Sequence, residues 1–304
     1  MTWLSLCAAL LLLHFFPFPA GAPLQSAYLR LAQWIAEQFN AGESHSGAFA
    51  YALLVVIVLV PTAIVYFLFD SISGVLVWVL DVAVLYASIT FWRQLKLIGS
   101  VRASLQAGDA DAANAAIESW TGRSGLIADA NQSARLGIEK LVVEAHQGMF
   151  GAVFWFCLLP GPLGVVLYHA TLAARKSWQD ESDESGGEFA WLARDAWWLM
   201  DWVPQRLAAF SFAVVGNFED ALFCWRDQGE RWNDKDTAVL LSSAAGALGV
   251  KLGGPVAAKD GVTLRPELGT GEIADPASTT SAEGLLWRVV VLWVSVLGLV
   301  AIAV

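Results

Sequence analysis

Five polar residues inside or beside an apolar run are the first candidates for chemistry. Asp201 and Arg206 flank Pro204, and Asn217, Glu219 and Asp220 follow the apolar segment Leu207 to Val215. A charge in an apolar medium is costly, so these groups must face water, headgroups, a ligand or one another. Asp201 and Arg206 fall on neighbouring parts of one helical surface, and a plain surface ion pair is the simplest alternative to a site. Proline lacks a donor and clashes with the preceding turn, so Val203-Pro204 reads as a helix start or a kink.

A second constellation lies further on, in Ala245-Gly246-Ala247-Leu248-Gly249-Val250-Lys251-Leu252-Gly253-Gly254-Pro255. Closely spaced glycines let backbone N–H groups approach an anion, and Lys251 adds a point charge. The run lacks the Gly-Lys-Ser/Thr ending of a Walker loop and is not a dinucleotide fingerprint, so a structural turn is the competing reading. Asp81 sits among Trp78, Val79, Leu80 and Val82, where an acid is either functional or hydrogen-bonded between helices. Cys7, Cys157 and Cys224 are widely spaced in apolar surroundings and read as core thiols. The histidines show no zinc-site spacing, and no metal ligand is assigned.

These groups must be positioned by membrane helices. Of 304 residues 57% are hydrophobic and only 15% charged, well below the roughly 25% charged of soluble domains. A net charge of -10 argues against a nucleic-acid partner. Residues Trp3 to Phe16 form an apolar run without a basic start, read as a short retained membrane helix, with a cleaved signal peptide as the alternative. Gln25 to Phe39 suits an amphipathic surface helix. Ala48 to Phe69, Ser71 to Trp92 and Gly284 to Val304 are long enough to span, the first two as a tight hairpin turning near Asp70. Met149 to Ala173 is apolar but broken by Pro160-Gly161-Pro162, with basic residues on both flanks, which favours two half-helices returning to one face. Arg93, Lys96 and Arg102 mark a cytoplasmic side. The chain divides into membrane helices and hairpin over 1–92, a cytoplasmic helical insert over 93–147, apolar re-entrant and interfacial helices over 148–225, a polar Gly-rich section over 226–282 and a final membrane helix over 283–304. The fold class is all-α: a polytopic integral membrane protein with amphipathic and re-entrant helices and a small cytoplasmic helical layer.

The glycine run with Arg265-Pro266-Glu267-Leu268-Gly269 resembles the C-terminal part of the CobD/CbiB family of membrane proteins. Trp202-Val203-Pro204-Gln205-Arg206-Leu207 is similar to that family's Trp-Ile-Pro-Ala-Arg-Leu. Gly108-Asp109 through Gly122-Arg123 resembles its helical insert, and Gly137 to Tyr168 its stretch with Gly-Pro and a following Tyr. The resemblance covers nearly the whole chain. It implies a role in cobalamin assembly: joining an aminopropanol or its phosphate to a side-chain carboxylate of adenosylcobyric acid with magnesium and ATP, at the bacterial cytoplasmic (inner) membrane. It further implies that Arg123, Arg206 and Lys251 hold phosphate or carboxylate. Gly253, Gly254 and Asn217 complete the substrate site, and Asp201, Arg206, Glu219 and Asp220 form the catalytic set, its acids contacting magnesium or an amine.

Several family acids are replaced. The family's Gly-Arg-Asp-Thr is Gly122-Arg123-Ser124-Gly125 here, and its Glu-Ser-x-x-Glu-Asn-x-x-Asp pattern keeps only Glu139 in register, with Gln147 at the last position. An acidic pair before Trp-Ile-Pro becomes Trp197 and Trp198. Holding magnesium needs oxygen ligands, so these losses weaken that implication. The central segment is also similar to the AmpE family, membrane proteins linked to β-lactamase regulation, which share Asp-Trp-Val-Pro-x-Arg-Leu and a following Gly before an acidic helix. That likeness implies a non-catalytic regulator on the same fold.

Overall fold

The computed structural model describes residues 2–16, 23–40, 43–122, 125–126, 128–178, 188–232, 234–259 and 261–303. Its chain forms two compact units, Met1–Thr90 with Gly148–Pro204, and Phe91–Gln147 with Gln205–Val304. It is an all-α polytopic membrane protein, with short strands confined to the polar section near its C-terminal end. Among the described residues, Ser44–Ile72, the run Gly74–Gln106, the run Ala130–Leu158 and Ser278–Ala303 are long and apolar enough to cross a membrane.

The first unit begins with α1 (Thr2–Phe15), α2 (Pro23–Phe39), α3 (Ser44–Ile72) and α4 (Gly74–Ser88). At 14 residues α1 is about 21 Å long, short of a bilayer core of about 30 Å, and it buries Leu6, Ala9 and Leu13. The amphipathic α2 buries Tyr28, Ala32 and Ile35 in a cluster with residues of α3. The expected hairpin turns on one residue: Ser73 closes α3 and caps α4, its side chain accepting from the Val75 amide at 3.2 Å. The expected second span, Ser71 to Trp92, falls largely within the run Gly74–Gln106, which the structure divides into two helices. α4 ends at Ser88, the Thr90 amide donates to the Gly148 carbonyl at 3.1 Å, and α5 starts at Phe91.

The Pro160-Gly161-Pro162 break separates α8 (Gly151–Leu158) from α9 (Pro162–Trp178). The two fold back on each other. A Cβ on Gly164 would lie 2.1 Å from the Trp155 carbonyl oxygen, and one on Gly151 would lie 2.1 Å from the Tyr168 hydroxyl. Residues equidistant from the break therefore face each other in a hairpin, whose first arm, α8, ends the longer run Ala130–Leu158. Cys157 is exposed just before the turn and is not a core thiol; Cys224 is buried and Cys7 half-buried.

The unit closes with the first part of α10 (Trp191–Val215), a 25-residue helix that carries Pro204 inside it. Pro204 is thus no helix start. Its missing N–H frees the Met200 carbonyl one turn back, and the Trp155 indole N–H donates to that oxygen at 3.0 Å.

The second unit holds α5 (Phe91–Gln106), α6 (Ala110–Thr121), α7 (Ala130–Ala145), α11 (Phe218–Gln228), α12 (Lys235–Leu248) and α13 (Ser278–Ala303), with the remainder of α10. Asp109 caps α6 through the Ala112 amide at 2.9 Å, and Gly122 ends it in the left-handed region at φ 72°. α7 buries Leu136, Ile138, Leu141 and Val142, and a π turn follows over His146–Phe150. The glycine run straddles the end of α12 and β1 (Val250–Gly253). Beyond it, β2 (Val256–Ala258) and β3 (Gly261–Thr263) form a hairpin. β4 (Glu267–Leu268) pairs antiparallel and β5 (Glu272–Ile273) parallel with β1.

Candidate functional site

The densest polar node of the second unit forms where α7 meets β1. Arg135 and Glu139 are one helical turn apart and therefore share a face. Glu139 is 7% exposed. Its Oε1 accepts from the Gly253 amide at 2.8 Å and from Arg265 Nη2 at 3.1 Å, and its Oε2 accepts from Arg265 Nη1 at 2.8 Å. This is the two-pronged geometry a guanidinium offers a carboxylate. Arg265 also donates through Nε to the Gly254 carbonyl at 3.2 Å and lies 5.2 Å from the centre of the Trp232 ring. Arg135 donates to the carbonyls of Gly253 at 2.6 Å and Pro255 at 3.2 Å.

Glycine is required at the centre. Gly253 and Gly254 have φ of 72° and 73°, and a Cβ on Gly253 would stand 2.2 Å from the Pro266 carbonyl oxygen. Arg265 pairs with Glu139, Glu267 stands opposite Gly253 in the β1–β4 register, and Arg135, which donates to backbone carbonyls, has its Nε buried without a hydrogen-bond partner.

The other expected residues occupy different places. Asn217 caps α11, its Oδ1 accepting from the Asp220 amide at 3.3 Å while its Nδ2 donates to Asp220 Oδ2 at 2.6 Å. Glu219 is exposed in the same first turn, where negative charge favours the helix. The Asn217 amide donates to the Ala247 carbonyl at 3.1 Å, which sets this cap beside the end of α12, four residues before Lys251. Two glycines permit that approach: a Cβ on Gly216 would lie 2.7 Å from the Ala247 carbonyl oxygen, and one on Gly246 would lie 2.4 Å from that of Asp220. Lys251 is paired with Glu267 at 3.6 Å. Arg206 is half-buried on α10. Arg123 lies outside the described residues.

Asp201 belongs to the first unit and is buried, 4% exposed, rather than on a surface. The Tyr168 hydroxyl donates to its Oδ1 at 2.9 Å, and the Trp197 ring lies 5.1 Å from that of Tyr168. Asp81 is also buried there, with Oδ1 unpartnered.

Comparison with known proteins places the chain in a family. The sequence model for the CobD/CbiB protein family matches residues 6–286. The chain belongs to the CobD/CbiB family. It is 30% identical over 305 residues to the cobalamin biosynthesis protein CobD of Stutzerimonas stutzeri, covering 97% of this chain and 96% of that one. It is 28% identical to the CobD of Chromobacterium violaceum over 71% of this chain and 68% of that one. No solved structure matches.

Three stretches whose sequence resembles the family's meet in one node: the Glu139 pattern, the glycine run and Arg265-Pro266. The sequence reading took the glycine amides as donors to an external anion, and the Gly253 amide instead holds the protein's own Glu139. Glu139 and Arg265 stood inside family-like stretches without a role, since two residues 126 positions apart give no local signal. Arg135 stood out only as part of a basic flank before the apolar segment 149–173, and Trp232 carried no signal.

Three of the acids are already engaged and form no carboxylate cluster for a magnesium ion, while Glu219 is exposed. Glu139 is neutralised by Arg265, Asp220 is held by its own cap and Asp201 takes the Tyr168 proton donor. Among the described residues no three His, Cys, Asp or Glu side chains group as a metal site.

Proposed function

We propose that this protein serves cobalamin biosynthesis in the bacterial cytoplasmic membrane, attaching aminopropanol or its phosphate to a side-chain carboxylate of adenosylcobyric acid. The observation that supports this reading is the family match over nearly the full chain, together with a node in which the family-like stretches converge. Arg135, which donates only to backbone carbonyls in the hydrogen bonds described above, is the cation of the node that suits a carboxylate or phosphate, and the chain's contribution would be to bind and orient it. Lys251 and Arg206 remain candidates for a second anionic group. Magnesium and ATP belong to the reaction this reading implies, but the acids described above form no carboxylate cluster for magnesium, so no step is assigned to them.

Those engaged acids favour one alternative, a non-catalytic AmpE-like regulator that keeps the fold and the node. The purified protein in detergent, given adenosylcobyric acid, aminopropanol phosphate and magnesium-ATP, is expected to form the corrinoid amide, detected by mass spectrometry. It is also expected to restore growth of a synthase-deficient cell. Folded protein that yields no amide and no growth transfers the case to the regulator.

A further inference from the structure

We infer that α10 is a further membrane-crossing helix, its exposed stripe facing lipid acyl chains. From Ala196 to Val215 every residue in the exposed class is apolar: Trp198, Leu199, Trp202, Val203, Leu207, Phe210 and Val214. The polar side chains Asp201, Gln205 and Ser211 are buried at 4%, 5% and 6% exposure, and Arg206 is half-buried. A helix on a water-soluble protein has the opposite arrangement, apolar inward and polar outward. The stretch is about 20 residues, or about 30 Å, the thickness of a bilayer's hydrocarbon core. Charged or polar residues flank it, Arg194 and Asp195 at one end and Asn217 and Glu219 at the other.

An independent observation ties its C-terminal end to a membrane helix. In the second unit, Arg288 of α13 donates to the Val215 carbonyl at 2.7 Å, and the Trp293 indole N–H donates to Ser211 Oγ at 2.9 Å. Going back along α10 from Val215 to Ser211 therefore means going forward along α13 from Arg288 to Trp293. Over this turn the two helices run in opposite directions. In the proposed arrangement the apolar run of α13 enters the membrane after Arg288, and the end of α10 enters it at the same level. Tryptophan and the inward polar residues lower the mean hydropathy of α10, which is why composition alone passes over it.

The test uses the full-length chain in phosphatidylcholine and phosphatidylglycerol vesicles. With its three cysteines replaced by serine, nitroxides are placed one at a time at Leu199, Val203, Leu207, Phe210 and Val214, with the exposed Val296 of α13 as reference. Collisions with oxygen are expected to exceed those with a water-soluble nickel chelate at all five. The excess should be greatest at Val203 and Leu207 and comparable there to Val296. Nickel access at Val203 and Leu207 overturns the inference, as does shielding from both agents with spin–spin broadening, which would mean that a second copy covers the stripe. The unaltered chain supplies a check free of substitutions. A carbene released at the acyl-chain terminus should tag α10 between Ala196 and Val215 as it tags α13, and tags confined to α13 reject the crossing.

Discussion

Removing the Arg265 guanidinium would leave the Glu139 carboxylate buried with only the Gly253 amide. Breaking a buried ion pair from one side costs about 3 kcal/mol. Arg265→Met is therefore expected to lower the denaturant midpoint in detergent by that order, with Glu139→Gln in the same chain restoring a large part. Additive losses would mean the pair is not coupled. Tyr168→Phe removes the donor to buried Asp201 and is expected to destabilise by about 2 kcal/mol, within the range for a hydrogen bond to a charged group. Cys224 is fully buried on α11, and burial, with Asp220 nearby, pushes its thiol up to about 11. Few thiolates form at neutral pH, so a maleimide should leave Cys224 unlabelled until denaturant opens the second unit. Prompt labelling of the native protein would contradict that packing.

At the scale of elements, two interruptions are compensated by named partners. Pro204→Ala supplies the amide that Met200 lacks, so it should suppress most of the instability of Trp155→Phe. A double variant no better than Trp155→Phe alone would show that the indole acts by packing. The start of α13 depends on Asp275, whose carboxyl is held below the usual carboxylate range by the Ser278 hydroxyl and then the Ser278 amide. A depressed native pKa contributes stability above the unfolded value that is lost as pH falls through the native one. Protection of the Ser278 and Thr279 amides, relative to the intrinsic exchange rate at each pH, should accordingly fall as pH drops from the usual carboxylate value through the lower native one, and Asp275→Ala should abolish that dependence. Unchanged protection across the range would exclude the cap.

For the whole molecule, α10 and α13 as antiparallel membrane helices place Asn217 and Arg288 at the same level, so the polar section between them lies on one side of the bilayer. Its exposed Lys235 and Lys259 are expected to react with an impermeant amine reagent in inside-out vesicles and to be protected in right-side-out ones. Reaction of the two lysines from opposite sides would break this arrangement. Equal protection of both in inside-out vesicles would reverse the orientation.

The sequence by itself determined what depends on local pattern. The spanning helix through Pro61, the capped start at Asp109 and the stop at Gly122 follow from runs and caps within a few residues of each other, and so does the tight hairpin, although its turn falls at Ser73 and not at Asp70, which lies inside α3. The break at Pro160-Gly161-Pro162 was equally legible, because two prolines around a glycine leave a helix little alternative. Family membership was legible for the same reason, since it rests on ordered short motifs. Tertiary structure alone decided which side of a helix is wet, greasy or buried. Asp201 looked like a surface acid because sequence distance says nothing of Tyr168, and Pro204 looked like a boundary because the indole that satisfies Met200 comes from another helix. Glu139, Gly253 and Arg265 became one node only when the chain brought α7, β1 and the following loop together. A charge in a low-dielectric interior takes its partner from whatever folding sets beside it.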